Sequence, residues 1–158
     1  MKTLALLVIL SVFCASLSAE PPAARLAASE RSTPLPQRLS DTGLYVAGSV
    51  TTVRADNVAF APQYPLWSDG TSKRRWIYLT PGTAIDASRI DAWEFPVGTR
   101  LWKEFSYDRR VETRFIERLA DGSWRFAAYV WNDAGTDAVL AAALADLVHS
   151  FTALDSLG

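Results

Sequence analysis

Three pairs of side chains with chemical potential fall close together in the second half of the chain. They are Trp102 and Glu104 in LWKEF, Glu112 and Arg114 in RRVETRF, and Tyr129 and Trp131 in AAYVW. Aromatic rings beside carboxylates and guanidinium groups suit sugars or other polar, ring-bearing ligands, because the ring face stacks while the charged groups accept and donate hydrogen bonds. Two glutamates could also be read as a glycosidase pair, since residues on neighbouring strands lie about 5 Å apart. Nothing else in the sequence indicates a cleft for acid-base work, so no catalytic residue is assigned. A second cluster lies in PLWSDGTSKRRW, where Trp67 and Asp69 flank a turn and Lys73, Arg74 and Arg75 follow. Trp67 could stack on a ligand there while the cations meet an anion. Alternatively, Trp67 and Trp76 are core residues and the cations alternate outward along a strand, as the packing character of Trp76, Tyr78 and Leu79 favours.

Other chemistries have little material. The chain has one histidine, His149, and one cysteine, Cys14, which leaves nucleophilic triads and multi-ligand metal sites without their groups. There is no G-x-S-x-G, phosphate loop or nucleotide fingerprint. Asn132–Asp137 is rich in oxygen but lacks the twelve-residue calcium-loop pattern, so an Asx-type turn is expected.

The elements that must position these residues are strands. From Tyr64 onward, short aromatic and β-branched runs are broken by turn residues, predicting strands at Arg74–Leu79, Ala92–Phe95, Leu101–Tyr107, Val111–Leu119 and Trp124–Trp131. If Asp121-Gly122 is a two-residue turn, Leu119 lies near Trp124 and Phe115 opposite Ala128. If Asp108–Arg110 is a three-residue loop, Tyr107 faces Val111 and Phe105 faces Thr113. One face then holds Leu101, Phe105, Tyr107, Val111, Phe115, Leu119, Trp124, Phe126 and Val130 and is the expected core. The other holds the rows Trp102–Ile116–Ala127, Glu104–Arg114–Tyr129 and Ser106–Glu112–Trp131. It is either a ligand or partner surface or a second buried layer with Glu104–Arg114 as an internal pair.

The ends differ in character. Residues 1–19 read as a secretory signal, with Lys2 before an apolar run and Ser18-Ala19 before Glu20, so a periplasmic or secreted location is expected. A membrane association follows only if that segment stays uncleaved. Residues 20–37 hold four of the eight prolines and form a flexible leader. After Asp137, Leu140, Leu144, Leu147, Val148, Phe151 and Leu154 recur at helical spacing, with Thr136 or Asp137 as N-cap; residues 137–158 are a terminal helix or an aberrant tail. Loss of Lys2 with the signal leaves 15 basic against 17 acidic residues, a balance that gives no reason to expect nucleic acid as a partner. The expected fold class is therefore mainly β, an antiparallel sandwich or compact barrel over 38–136 with one C-terminal helix.

The ordered motifs LSDTGLY, PQYPLWSDGTSKRRWIYLTPGTAID, WEFPVGTRLWKEF, RRVETRFIERLADGSW and YVWNDAGTDAVL resemble an uncharacterised family of exported bacterial proteins. In that family the β-rich module precedes a C-x-x-C-H segment that attaches c-type haem. The resemblance covers about residues 39 to 140 and implies a periplasmic setting and a link to electron transfer. It brings no substrate and no catalytic residues. Because the expected mature region lacks cysteine, haem would have to be carried elsewhere; no cofactor is assigned to this chain. The leading expectation is an accessory module that docks a periplasmic haem or redox protein, and the alternative is a carbohydrate-type ligand-binding module.

Overall fold

The computed structural model describes residues 34–64 and 70–142, together with Pro22, Arg25 and Ser29. A short 3-10 helix, Leu39–Thr42, precedes six strands: β1 (Val58–Ala59), β2 (Ser72–Tyr78), β3 (Arg100–Ser106), β4 (Arg110–Arg118), β5 (Trp124–Trp131) and β6 (Ala138–Leu140). They form one antiparallel sheet in the order β1-β2-β3-β4-β5-β6, so each strand pairs with its neighbours in sequence. The expected mainly antiparallel β class is what forms. It takes the form of an open meander, not closed into a barrel, and an irregular N-terminal segment takes the place that a second sheet would hold in a sandwich.

The register is set by two turns, each one residue different from the sequence reading. At the second hairpin the Leu119 amide donates to the Ser123 carbonyl and the Gly122 amide donates back to the Leu119 carbonyl, both at 2.9 Å. The loop is therefore Ala120-Asp121-Gly122, and Gly122 takes a left-handed φ of 79°. This is the three-residue solution, in which the residue after the tight turn needs a positive φ; Asp-Gly supplies its end and not its centre. Phe115 consequently pairs with Ala127 instead of Ala128. At the first hairpin the loop is Tyr107-Asp108-Arg109, closed by Ser106 opposite Arg110, and a bulge follows at once so that Phe105 pairs with Glu112. Phe105 therefore does not face Thr113, and Trp102 lies opposite Phe115.

Because side chains alternate, a one-residue shift turns one strand over relative to its neighbours. The inward face carries Trp76, Trp102, Phe115, Tyr129, Trp131 and Ala138. The expected core set is thus corrected. Val111, Phe115 and Leu119 do turn inward, but Leu101, Phe105, Trp124, Phe126 and Val130 belong to the opposite face. What covers the inward face is the stretch before β1: Leu39 and Leu44, fully buried, with Tyr45, Leu35, Val50 and Val53. Polar anchors fix it there. The Trp102 indole donates to Thr42 Oγ1 (3.0 Å), the Tyr129 hydroxyl donates to the Pro36 carbonyl (2.9 Å), and Ser40 Oγ donates to the Asp137 carboxylate (2.7 Å). Packing thus reaches Leu35 and Pro36, just inside the stretch read as leader.

Two further expectations are corrected. Ala92–Phe95 forms no strand: Glu94 makes an isolated bridge to Asp86, and Trp93 is exposed. The terminal helix does not begin at Asp137, since Ala138–Leu140 is β6, paired with β5 and bridged by Arg38; residues 143–158 lie outside the described residues. Asp137 caps no helix. Its carboxylate instead accepts from Ser40.

Trp131 is 5% exposed and its indole donates to Thr113 at 3.0 Å. Removing such a ring from a packed core costs about 3–5 kcal/mol. Trp131→Ala should therefore lower the unfolding free energy by that amount in urea titrations read by circular dichroism; an unchanged midpoint would place the ring on the surface.

Candidate functional site

The inward face buries a polar network. Glu104 is fully buried at the centre of β3, where its Oε1 accepts from Arg74 Nε (3.0 Å) on β2 and its Oε2 accepts from the Tyr45 hydroxyl (3.3 Å). A buried carboxylate is tolerated when both oxygens are bonded and a cation neutralises it. Arg110 lies over the Trp131 ring, 3.6 Å from its centroid, and donates to the carbonyls of Val50 and Gly135, tying the covering segment to the β5–β6 turn. Thr113 completes the set by accepting from Trp131. These contacts hold the covering segment down, and their donors and acceptors are spent within the chain.

The outward face has a different composition, arranged in cross-strand rows. One is apolar: Val58, Ile77, Leu101, Ile116 and Phe126 are successive pairing partners from β1 to β5. Phe126 is 67% exposed and Val58 62%. The adjacent row is cationic, with Arg75, Lys103 and Arg114 directly opposite one another on β2, β3 and β4. The third contains Lys73, Phe105, Glu112 and Val130. Phe105 is nearly buried because the Lys103 amine and the Arg114 guanidinium lie over its ring, each 4.8 Å from the centroid. Glu112 Oε1 accepts from Arg114 Nε at 2.6 Å, whereas its Oε2 is buried without a hydrogen-bond partner.

Like charges set directly opposite each other repel. The Lys103 amine is held below its ordinary value, first by burial and then by Arg75, Lys73 and Arg114, with Glu112 acting in the other direction. Among the described residues neither Arg75 nor Lys103 has a carboxylate within ion-pair distance, whereas Arg114 is paired to Glu112.

The residues singled out in the sequence are thus divided. Trp102, Glu104, Tyr129 and Trp131 do share one face, but it is the buried one. Glu112 and Arg114 lie on the opposite face, and Glu104 pairs with Arg74 instead of Arg114. Trp67 and Asp69 lie outside the described residues. Asn132–Asp137 forms the Asx-type turn: Asn132 Oδ1 accepts from the Thr136 amide (2.9 Å) and Gly135 takes a φ of 64°. Sequence reading missed Lys103 and Phe126 as surface residues. Pairing β3 and β4 one residue differently would have revealed both rows. Among the described residues no group of three or more histidine, cysteine or acidic side chains could hold a metal ion, and no helix is long and apolar enough to cross a membrane.

No protein-family model matches the chain, and no curated protein or solved structure shows significant similarity to it.

Tyr45 and Tyr129 give the inward network a pH signature. Burial pushes both phenols up to about 12, with the Glu104 charge adding to the effect at Tyr45. The folded state favours the neutral phenol, so the linked stability is complete below the ordinary value of 10 and is lost as pH climbs from 10 towards 12. Wild type should therefore lose up to about 2–3 kcal/mol relative to Tyr45→Phe across that window in urea titrations. Parallel curves for the two proteins would show that Tyr45 ionises as freely folded as unfolded.

Proposed function

We propose that this domain is an exported accessory module that docks a partner protein through the outward face of its sheet. The observation that carries this reading is the asymmetry of the sheet. Its own chain covers the inward face with Leu39, Leu44 and Tyr45, while the outward face keeps an apolar row across five strands that ends in exposed Phe126. An apolar row aligned across a rigid sheet, half-buried at Ile77, Leu101 and Ile116 and exposed at Val58 and Phe126, is a mark of an interaction surface. The short edge strands support this reading: β1 has two residues, and β6 has three and is bridged by Arg38, so the edges offer little ladder for strand addition. The resemblance to exported haem-associated modules supports a periplasmic haem or redox protein as the partner, with haem carried by that partner.

The carbohydrate-type alternative needs an open aromatic platform. Trp102, Tyr129 and Trp131 are each at most 5% exposed, which leaves no such platform on their face.

The test is retention of exported host proteins on the immobilised full-length chain, with bound haem read by absorbance and identity by mass spectrometry. Wild type should retain a haem-bearing protein, and Phe126→Asp should retain it roughly tenfold less, as expected for an exposed apolar anchor, with an unchanged near-ultraviolet dichroism spectrum. Equal retention by the variant would exclude this face, and retention no greater than on an unrelated β-protein would contradict docking altogether.

A further inference from the structure

The cationic row says what chemistry a partner must bring. Arg75, Lys103 and Arg114 stand on three adjacent strands, so their stems are about 5 Å apart and the row spans about 10 Å. It runs parallel to the row Ile77–Leu101–Ile116–Phe126, two residues away along each strand, or about 7 Å. The carboxylate beside the row is Glu112, whose Oε1 is already engaged by Arg114, while Arg75 and Lys103 form no ion pair among the described residues. This excess sits in the middle of a chain whose formal net charge is −1, so it is local and not a property of the whole surface.

Three opposed cations repel each other, and part of the cost is visible in the lowered basicity of Lys103. Lys103 and Arg114 cover the Phe105 ring and Arg114 pairs with Glu112, but among the described residues neither Arg75 nor Lys103 forms an ion pair. A row of carboxylates laid across them would remove the repulsion and satisfy their donors at once. Guanidinium groups bind carboxylates through paired hydrogen bonds, which fixes register as well as sign.

We infer that the outward face of β2–β4 is a docking site for an acidic, amphipathic protein segment, whose carboxylates lie along Arg75–Lys103–Arg114 while its apolar side chains lie along Leu101–Ile116–Phe126. This rests on the docking reading above and adds the chemistry of the partner. An anionic bilayer fits the same charges less well. Membrane-seated surfaces place apolar side chains at the centre and cations at the rim, whereas here the cations run through the central strands with Phe105 packed beneath them.

The probe is a labelled peptide of repeated Glu-Val dipeptides, with a Lys-Val peptide of equal length as control, titrated against the full chain and followed by fluorescence anisotropy. The Glu-Val peptide should bind saturably and more weakly as salt is raised. The double variant Arg75→Glu, Lys103→Glu should weaken it by about tenfold or more while keeping the wild-type dichroism spectrum. No binding to the full chain overturns the inference, including the case in which the chain's own carboxylates occupy the row. Equal binding by the double variant, or by the Lys-Val peptide, overturns it too. So does binding of phosphatidylglycerol vesicles without binding of the peptide, which would assign the face to a membrane. The inference and the reading beneath it fail differently. A host partner lost by Phe126→Asp but kept by the double variant means that the face docks a partner that is not acidic; a partner kept by both variants means that the face does not dock.

Discussion

Everything in this domain depends on the register of β4. Two hairpins fix it, one closed by the Leu119–Ser123 hydrogen bond with Gly122 in the left-handed region, the other by Ser106 opposite Arg110 followed by a bulge. Side chains alternate with a period of two, so these turns decide whether β4 sends Thr113 and Phe115 or Arg114 and Ile116 into the core. With this register, Phe115 meets Trp102 at a ring separation of 5.7 Å and Thr113 receives the Trp131 indole, while Arg114 is left to stand beside Lys103. Moved by one residue, the core would receive a guanidinium group and the surface a phenyl ring.

From that register follows a division of labour between the faces. Inward, aromatic rings are packed and the buried Glu104 is matched, held by Arg74 and Tyr45. Matching of this kind makes the covering segment specific and stable, and it leaves little capacity for a ligand. Outward, the balance is not closed: Val58 and Phe126 at the ends of the apolar row are exposed, and in the cationic row beside it Arg114 is paired to Glu112 while Arg75 and Lys103 form no ion pair among the described residues. The cost of the open face is offset when something of complementary chemistry covers it, and this is the physical basis for reading the molecule as a docking module.

Much of the architecture was legible in the sequence. Strand-rich patterning located β2 through β5 within two residues at each end, and Asp-Gly marked the β4–β5 turn. The faces were not legible, because Asp-Gly is compatible with both two- and three-residue loops and the choice between them inverts β4. The apparent complementarity of Glu104 with Arg114 supported the wrong register, since either register pairs each of these residues with an opposite charge: Arg74 serves Glu104 and Glu112 serves Arg114. β6 was hidden for another reason. Ala138–Leu140 has the composition of a helix start, and its strand conformation comes from β5 and Gln37, partners that no local pattern reveals. Of the candidate residues, the aromatic and acidic members of β3 and β5 were correctly grouped on one face. That this face is covered depends on residues 35–57, whose Pro36, Thr42 and Tyr45 contacts come from tertiary placement.

The most direct test of this account is the reactivity of single cysteines placed along β4 and β5 in a Cys14→Ser background. Cysteine at 114 and 126 should react with a polar thiol reagent at rates close to those of the unfolded chain, while cysteine at 113 and 115 should be strongly protected. The opposite alternation, with 113 and 115 reactive and 114 and 126 protected, would turn β4 over, return the aromatic face to the surface and remove the docking face together with its cationic row.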